Sequence, residues 1–242
     1  MAKRLGFFIY GSIAYAIFFV TFLYAFAFVG GFFVPTQLDG PARKPLALSL
    51  AIDAALLTLF ALQHSVMARR WFKAWLTQYV APTIERSTYV LCASLALLLM
   101  FWQWRPLGGV VWQVDHPVAR AALWTLFGSG WVLALLTTFL INHFDLFGLR
   151  QVWMALTGRH YTPVGFMMPW VYGVVRHPLY LGFILAFWMT PRMTLTHLVF
   201  AVATTGYILI AIQLEERDLV AEHGSAYERY RQRVPMLVPR TR

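Results

Sequence analysis

The heptapeptide Arg176-His177-Pro178-Leu179-Tyr180-Leu181-Gly182 and the carboxylate pair Glu215-Glu216 stand at the two feet of one apolar hairpin. Proline is tolerated best in the first turn of a helix, so Pro178 predicts a helix start with His177 at or near the N-cap and Arg176 just outside it. A helix N-terminus beside an arginine attracts a carboxylate or another anionic group. Tyr180 adds a ring and a hydroxyl one turn in, and Gly182 removes a side chain where another helix or a ligand must approach closely. Glu215 and Glu216 offer acceptors at the other foot. Together these groups suit a molecule carrying a carboxylate, an ammonium and hydroxyls. Such an arrangement is expensive in a membrane unless something polar is held there. Taken singly, RHP is a common way to begin a membrane helix and EER a common charge-paired helix end. Their combination at hairpin spacing carries the reading.

The rest of the chain supplies a membrane setting. Of 242 residues, 60% are hydrophobic and 12% charged, against roughly 25% charged in an ordinary soluble domain. The apolar residues form long runs rather than amphipathic stripes, which predicts an all-α, polytopic integral membrane bundle. A single cysteine, Cys92, excludes an intrachain disulfide and a CxxC cluster, and is read as a packing residue. No metal site is expected, because the histidines do not fall at HExxH-like spacing, and no GxGxxG follows a predicted strand.

A helical crossing needs about 20 apolar residues. The runs Phe7 to about Gly30, Leu46 to Met67, Ser87 to Trp104, Ala121 to about Phe144 and Met193 to Leu214 meet that requirement, giving about five full crossings. The run Pro178 to Thr190 is shorter: thirteen residues at ~1.5 Å each reach only about 20 Å of a core about 30 Å thick. It is expected to be a short or re-entrant helix, joined by a Pro191-Arg192 turn to the last crossing as a C-terminal hairpin. The tail from Arg217 reads as an amphipathic helix at the interface. The first run is too long for a signal-peptide core and is expected to stay as a first helix. Residues 1–147 then carry four crossings and the substrate side of the site, and 148–242 the loop, hairpin and tail, in one integrated domain.

Basic residues set the expected orientation. Lys3 and Arg4, Arg69, Arg70, Lys73 and Arg86, Arg150, Arg159 and Arg176, and the arginines of the tail fall on one side; Arg43-Lys44 is the dissenting pair. Both termini and the hairpin mouth are therefore expected to face the cytoplasm. The net charge of +10 follows from this bias and from anionic lipid, without nucleic acid as a partner.

At these residues the chain resembles the membrane methyltransferases that include isoprenylcysteine carboxyl methyltransferase and its bacterial relatives. Their pattern is RHPxYxG, a hydrophobic crossing, EExxL, and GxxYxxY ending in Val-Pro; here it reads RHPLYLG (176–182), EERDL (215–219), GSAYERY (224–230) and Val234-Pro235. The resemblance implies S-adenosylmethionine as cofactor, held by Arg176, His177, Pro178, Tyr180, Leu181, Gly182, Glu215 and Glu216. Further matches lie in Gln63-His64-Ser65-Val66-Met67-Ala68-Arg69, in Glu85-Arg86-Ser87-Thr88-Tyr89 and in His143 to Gln151. These look like the bacterial methanethiol S-methyltransferases, which methylate methanethiol and hydrogen sulfide. His223 and Met236 stand where prenyl-substrate enzymes often have Phe and Arg, which weakens a prenylcysteine reading.

Methyl transfer to sulfur asks for in-line approach to about 3–3.5 Å, exclusion of water and a thiolate. A thiol of pKa near 8.5 or above is mostly protonated at neutral pH, so a base or cationic donor is expected near the methyl. Ionisable residues within membrane segments are the candidates: His64, and His143 with Asp145, with Asp53 in support. Asp53 and His64 share a helix face but stand about 16 Å apart along it, so they cannot touch. Structural roles remain open for each. His116, His160, His197 and His223 are read as structural. Two other functions are weighed: methylation of a lipid-like thiol or carboxylate, and a transporter or non-catalytic membrane subunit. Against the last stands the lack of paired, symmetry-related broken helices.

Overall fold

A computed structural model describes residues 1–163, 165 and 170–239 of the chain. It is helical almost throughout, as the apolar runs predict. In chain order the elements are α1 (Ala2–Gly30), α2 (Leu46–Met67), α3 (Arg70–Leu76), α4 (Pro82–Gln103), β1 (Val110–Gln113), α5 (Pro117–Ile141), α6 (His143–Leu146), α7 (Leu149–Leu156), a 3-10 turn (Trp170–Gly173), α8 (Pro178–Trp188), β2 (Arg192–Thr194), α9 (Leu195–His223) and α10 (Ser225–Arg233). Five of these, α1, α2, α4, α5 and α9, are long and apolar enough to cross a membrane. The chain is an integral membrane protein.

Local chemistry accounts for the boundaries. α1 ends at Gly31, whose left-handed φ of 73° lets its N–H close on Ala27 O. α4 begins earlier than its apolar run because Pro82 occupies its first turn, and the charged Glu85-Arg86 pair lies inside the helix rather than before it. α5 stops at Ile141 instead of running to Phe144, since Asn142 leaves the helical region and its side chain accepts from Asp145 N to start α6. α8 spans 11 residues, about 16 Å at 1.5 Å per residue. α9 is the larger departure. It runs straight through Glu215-Glu216 and Arg217 to His223, so the tail helix starts only after Gly224. Twenty residues at 1.5 Å already span a hydrocarbon core, and the charged last turns of α9 extend beyond that length.

The chain divides into two compact units, Met1–Gly109 with Asn142–Gly165, and Val110–Ile141 with the described residues of 166–242. In the first, α4 packs against α1 and α2, while α7 lies against α1 and α4. The approach is close: Gly148, at φ 88° in the α6–α7 turn, presents a backbone on which a Cβ would come within 2.6 Å of Ser87 Oγ. In the second unit α5 packs along α8, α8 and α9 form the expected hairpin, and α10 folds back on α9. The link between α8 and α9 holds β2, which pairs antiparallel with β1 in the register Val110↔Thr194, Trp112↔Met193 and Gln113↔Arg192. Composition does not announce this small ribbon. Thr194 then caps α9 by accepting from His197 N at 3.1 Å.

Candidate functional site

The sequence motifs at the two feet of the hairpin meet in the second unit. Pro178 occupies the first turn of α8, and His177 is its N-cap residue. Arg176 Nε donates to Glu216 Oε1 at 2.7 Å, and His177 Nε2 lies 3.0 Å from the same oxygen. Glu216 is 5% exposed and His177 likewise 5%. The continuation of α9 past its apolar stretch is what carries Glu216 to this point.

The tail closes the arrangement. Arg176 N donates to Pro235 O at 2.9 Å and His177 N to Met236 O at 3.2 Å, while Arg176 Nη1 donates to Arg231 O at 3.0 Å and also to Val234 O. The Val234-Pro235 segment is thus a strap bonded to the residues just before α8. Tyr230 OH donates to Tyr172 O at 2.7 Å. Burial pushes the Tyr230 phenol up to about 12, and burial together with the carboxylates of Glu215 and Glu216 raises Tyr172 and Tyr227 as well. All three remain neutral phenols at physiological pH. Of the carboxylate pair, Glu215 is the accessible member: its side chain is 45% exposed, and Oε2 lies 3.9 Å from His177 Nδ1. Tyr180 stands beside His177 with ring centroids 5.7 Å apart.

Gly182 serves a helix contact. A Cβ there would fall 2.7 Å from Gly130 O and 2.8 Å from Ala134 N, and one at Gly130 would fall 2.6 Å from Gly182 O. α5 and α8 therefore meet backbone to backbone through Gly130/Ala134 and Gly182/Ala186, a small-xxx-small pairing on both helices. On α5 the two small residues are Gly130 and Ala134, four apart. Leu181 N makes the first bond of α8, to His177 O at 3.0 Å.

The ionisable candidates for proton transfer all lie in the first unit. His64 on α2 is bonded to Tyr89 OH of α4 at 3.0 Å, its ring stacks near Phe60, and Arg86 lies over the Tyr89 ring. The QHSxMAR and ERSTY stretches are thereby one structural feature. His143 Nε2 lies 2.9 Å from Tyr15 OH, amid Phe18, Phe144 and Phe147, and burial lowers its pKa. Asp145, two residues on, has other partners: Arg150 Nη1 donates to it at 2.8 Å and Tyr161 OH at 3.3 Å. Asp53, 1% exposed, accepts from Arg105 N at 2.9 Å and so ties α2 to the chain leaving α4. Tyr15 and Tyr89 are the partners of the candidate histidines that sequence reasoning did not single out; each is a polar group on an apolar run within hydrogen-bond reach of a histidine.

The chain is similar to methanethiol S-methyltransferases from Crocosphaera subtropica, 55% identical over 231 residues covering 96% of this chain and 91% of the relative. With that of Mycobacterium tuberculosis it is 53% identical, over 98% of this chain and 97% of the relative. At lower similarity, Nurim of Mus musculus is 31% identical over 190 residues, 73% of this chain and 70% of that protein. No family model matches the chain, and no solved structure matches it.

Proposed function

Because the chain belongs to the methanethiol S-methyltransferase family and is a methyltransferase, we propose that it moves a methyl group from S-adenosylmethionine to methanethiol, yielding dimethyl sulfide, and to hydrogen sulfide, yielding methanethiol. The observation that carries this is identity above one half, spread over nearly the whole chain, with relatives named for that substrate.

The donor set at the hairpin fits such a cofactor. Glu215 offers an accessible carboxylate suited to an ammonium or sulfonium, the first turn of α8 offers amides suited to a carboxylate, and Tyr180 offers a ring face. These three would hold the cofactor. Arg176, His177 and Glu216 are bonded to one another and to the tail, which supports a positioning role: they fix the start of α8 against the end of α9. Pro178, Leu181 and Gly182 set the first turn and its seating on α5.

When bound, the cofactor supplies an electrophilic methyl on a sulfonium. The chain's own residues must bring the thiol sulfur in line, exclude water and take the thiol proton. As the new sulfur–carbon bond forms, the old one breaks and the electron pair stays on the cofactor sulfur. His64 and His143, each bonded to a tyrosine hydroxyl, are the imidazoles we assign as candidates to accept the proton, with Asp145, held by Arg150 and Tyr161, beside His143 in the chain, and Asp53, bonded to Arg105 N, in a supporting role. We place the chain in a bacterial inner membrane, in keeping with its bacterial relatives, and both termini and the hairpin mouth on its cytoplasmic side, on the distribution of basic residues.

The test is headspace detection of dimethyl sulfide from purified, detergent-solubilised protein given methanethiol and S-adenosylmethionine, with a melting scan in S-adenosylhomocysteine alongside. Product and stabilisation together support the reading. Stabilisation without product moves the acceptor to another class, and neither result leaves no thiol methyltransferase.

A further inference from the structure

A pocket of about 430 Å³ opens in the first unit where α3, the start of α4 and the residues after α7 meet. It is too polar and too roomy for a two-heavy-atom thiol. Lys73, Arg86, Arg159 and His160 line it, against the carboxylates Glu85 and Asp145. Asp145 is already matched by Arg150 at 2.8 Å. That leaves Glu85 opposite Lys73, Arg86 and Arg159; the Glu85 carboxylate acts on Lys73, but among the described residues neither Lys73 nor Arg159 makes a close ion pair with a carboxylate. Lys73 is further crowded by Arg69 and Arg70, and burial together with Arg86 lowers its pKa. Cations held this close are stable when they share an anion.

Two further observations narrow the anion. Gln151, 9% exposed, lines the same pocket with its Oε1 buried and without a hydrogen-bond partner, and Glu85 Oε1 is in the same condition. Buried acceptors of this kind call for a donor such as a hydroxyl. The position is equally informative. α3 links the end of α2 to the start of α4, both of membrane-crossing length, so it lies at the level of the lipid head groups. Trp71 and Trp75 on α3 and Tyr79 just after it are 64%, 48% and 74% exposed, the aromatic residues that mark an interface.

The geometry points to a binding site for the hydroxylated phosphodiester head group of an anionic lipid, its phosphate between Lys73, Arg86 and Arg159 and its hydroxyls donating to Gln151 and Glu85. None of its lining residues is among those assigned to the cofactor, and it does not depend on the thiol assignment.

The experiment is a melting titration of the full chain in dodecylmaltoside micelles doped with phosphatidylglycerol, phosphatidylcholine or soluble glycerol 3-phosphate, repeated for Lys73→Gln and Arg159→Gln. Phosphatidylglycerol is expected to raise the midpoint and phosphatidylcholine to leave it unchanged. One basic residue near a membrane contributes about 1 kcal/mol to anionic lipid binding, so each variant should raise the half-saturating lipid concentration about fivefold. Arg159 is an exposed loop residue, so its variant stays informative if Lys73→Gln folds poorly. Equal response to the two lipids, or unchanged titration in both variants, overturns the site. Saturation by glycerol 3-phosphate at comparable concentration overturns the lipid assignment in favour of a soluble anion. Loss of the lipid effect in the presence of S-adenosylhomocysteine overturns its independence from the cofactor.

Discussion

Arg176 Nε lies 2.7 Å from Glu216 Oε1, joining the start of α8 to the far end of α9 across forty positions of chain. Their side chains are 9% and 7% exposed. Breaking a buried pair by removing one partner typically costs about 3–5 kcal/mol, because the other charge is left buried. Glu216→Ala should therefore lower the melting midpoint by several degrees, at the low end of that range because two tail carbonyls still accept from Arg176. Glu216→Gln, which keeps an acceptor, should lose less. A midpoint unchanged in both variants would show that the pair holds nothing in place.

The backbone contact of Gly182 with Gly130 makes a second expectation. Gly182→Ala and Gly130→Ala each place a Cβ within 2.7 Å of the opposing backbone and should destabilise by about 1–3 kcal/mol or more. Gly128 faces open space, so Gly128→Ala should be neutral or stabilising by up to about 1 kcal/mol. Melting midpoints of the three variants check this ordering.

The legible parts of the fold were those that hydropathy and proline report directly. Leu46–Met67 was bounded to the residue because Pro45 and Arg69 bracket one apolar run, interrupted by Asp53 and His64. The ends of α4 and α9 were misread for one reason: hydropathy follows lipid contact, whereas a helix continues wherever its backbone bonds do. Glu85-Arg86 and Glu215-Glu216 looked like boundaries; the first pair lies at the opening turn of α4 and the second in an interior turn of α9. At the site, the RHP and EE motifs announced their own proximity. The bonds of His64 with Tyr89 and of His143 with Tyr15, across 25 and 128 positions, carry no periodicity that one sequence could expose.

Tyr89 holds His64 by its hydroxyl at 3.0 Å. Positioned general bases contribute about 10²–10⁴-fold, so His64→Ala should reduce kcat at least a hundredfold if this imidazole takes the thiol proton. Tyr89→Phe keeps the ring and loses the bond; it should reduce kcat by about tenfold, shift the pH–rate profile and leave S-adenosylhomocysteine affinity unchanged. An unaltered profile with normal kcat would reduce the pair to packing.

Burial depresses the pKa of His143 in the folded state, and this fixes a sign. Above the ordinary imidazole value of about 6.5 neither state binds the proton, and the group has no effect. As pH falls below that value the unfolded chain takes up a proton that the folded chain resists, so stability declines. The melting midpoint should fall between pH 7.5 and 5.5, and the fall should be smaller in His143→Gln. An equal slope in the two proteins would place the responsible titration elsewhere.

The most direct measurement follows the methyl itself. Purified protein is given methanethiol and S-adenosylmethionine carrying a trideuterated methyl, and the headspace is analysed by mass spectrometry. A small-thiol methyltransferase must yield dimethyl sulfide three mass units heavier, with one labelled and one unlabelled methyl. The label should vanish in Glu215→Ala with the fold retained. Absence of labelled dimethyl sulfide, from protein that S-adenosylhomocysteine still stabilises, would contradict methanethiol as the acceptor.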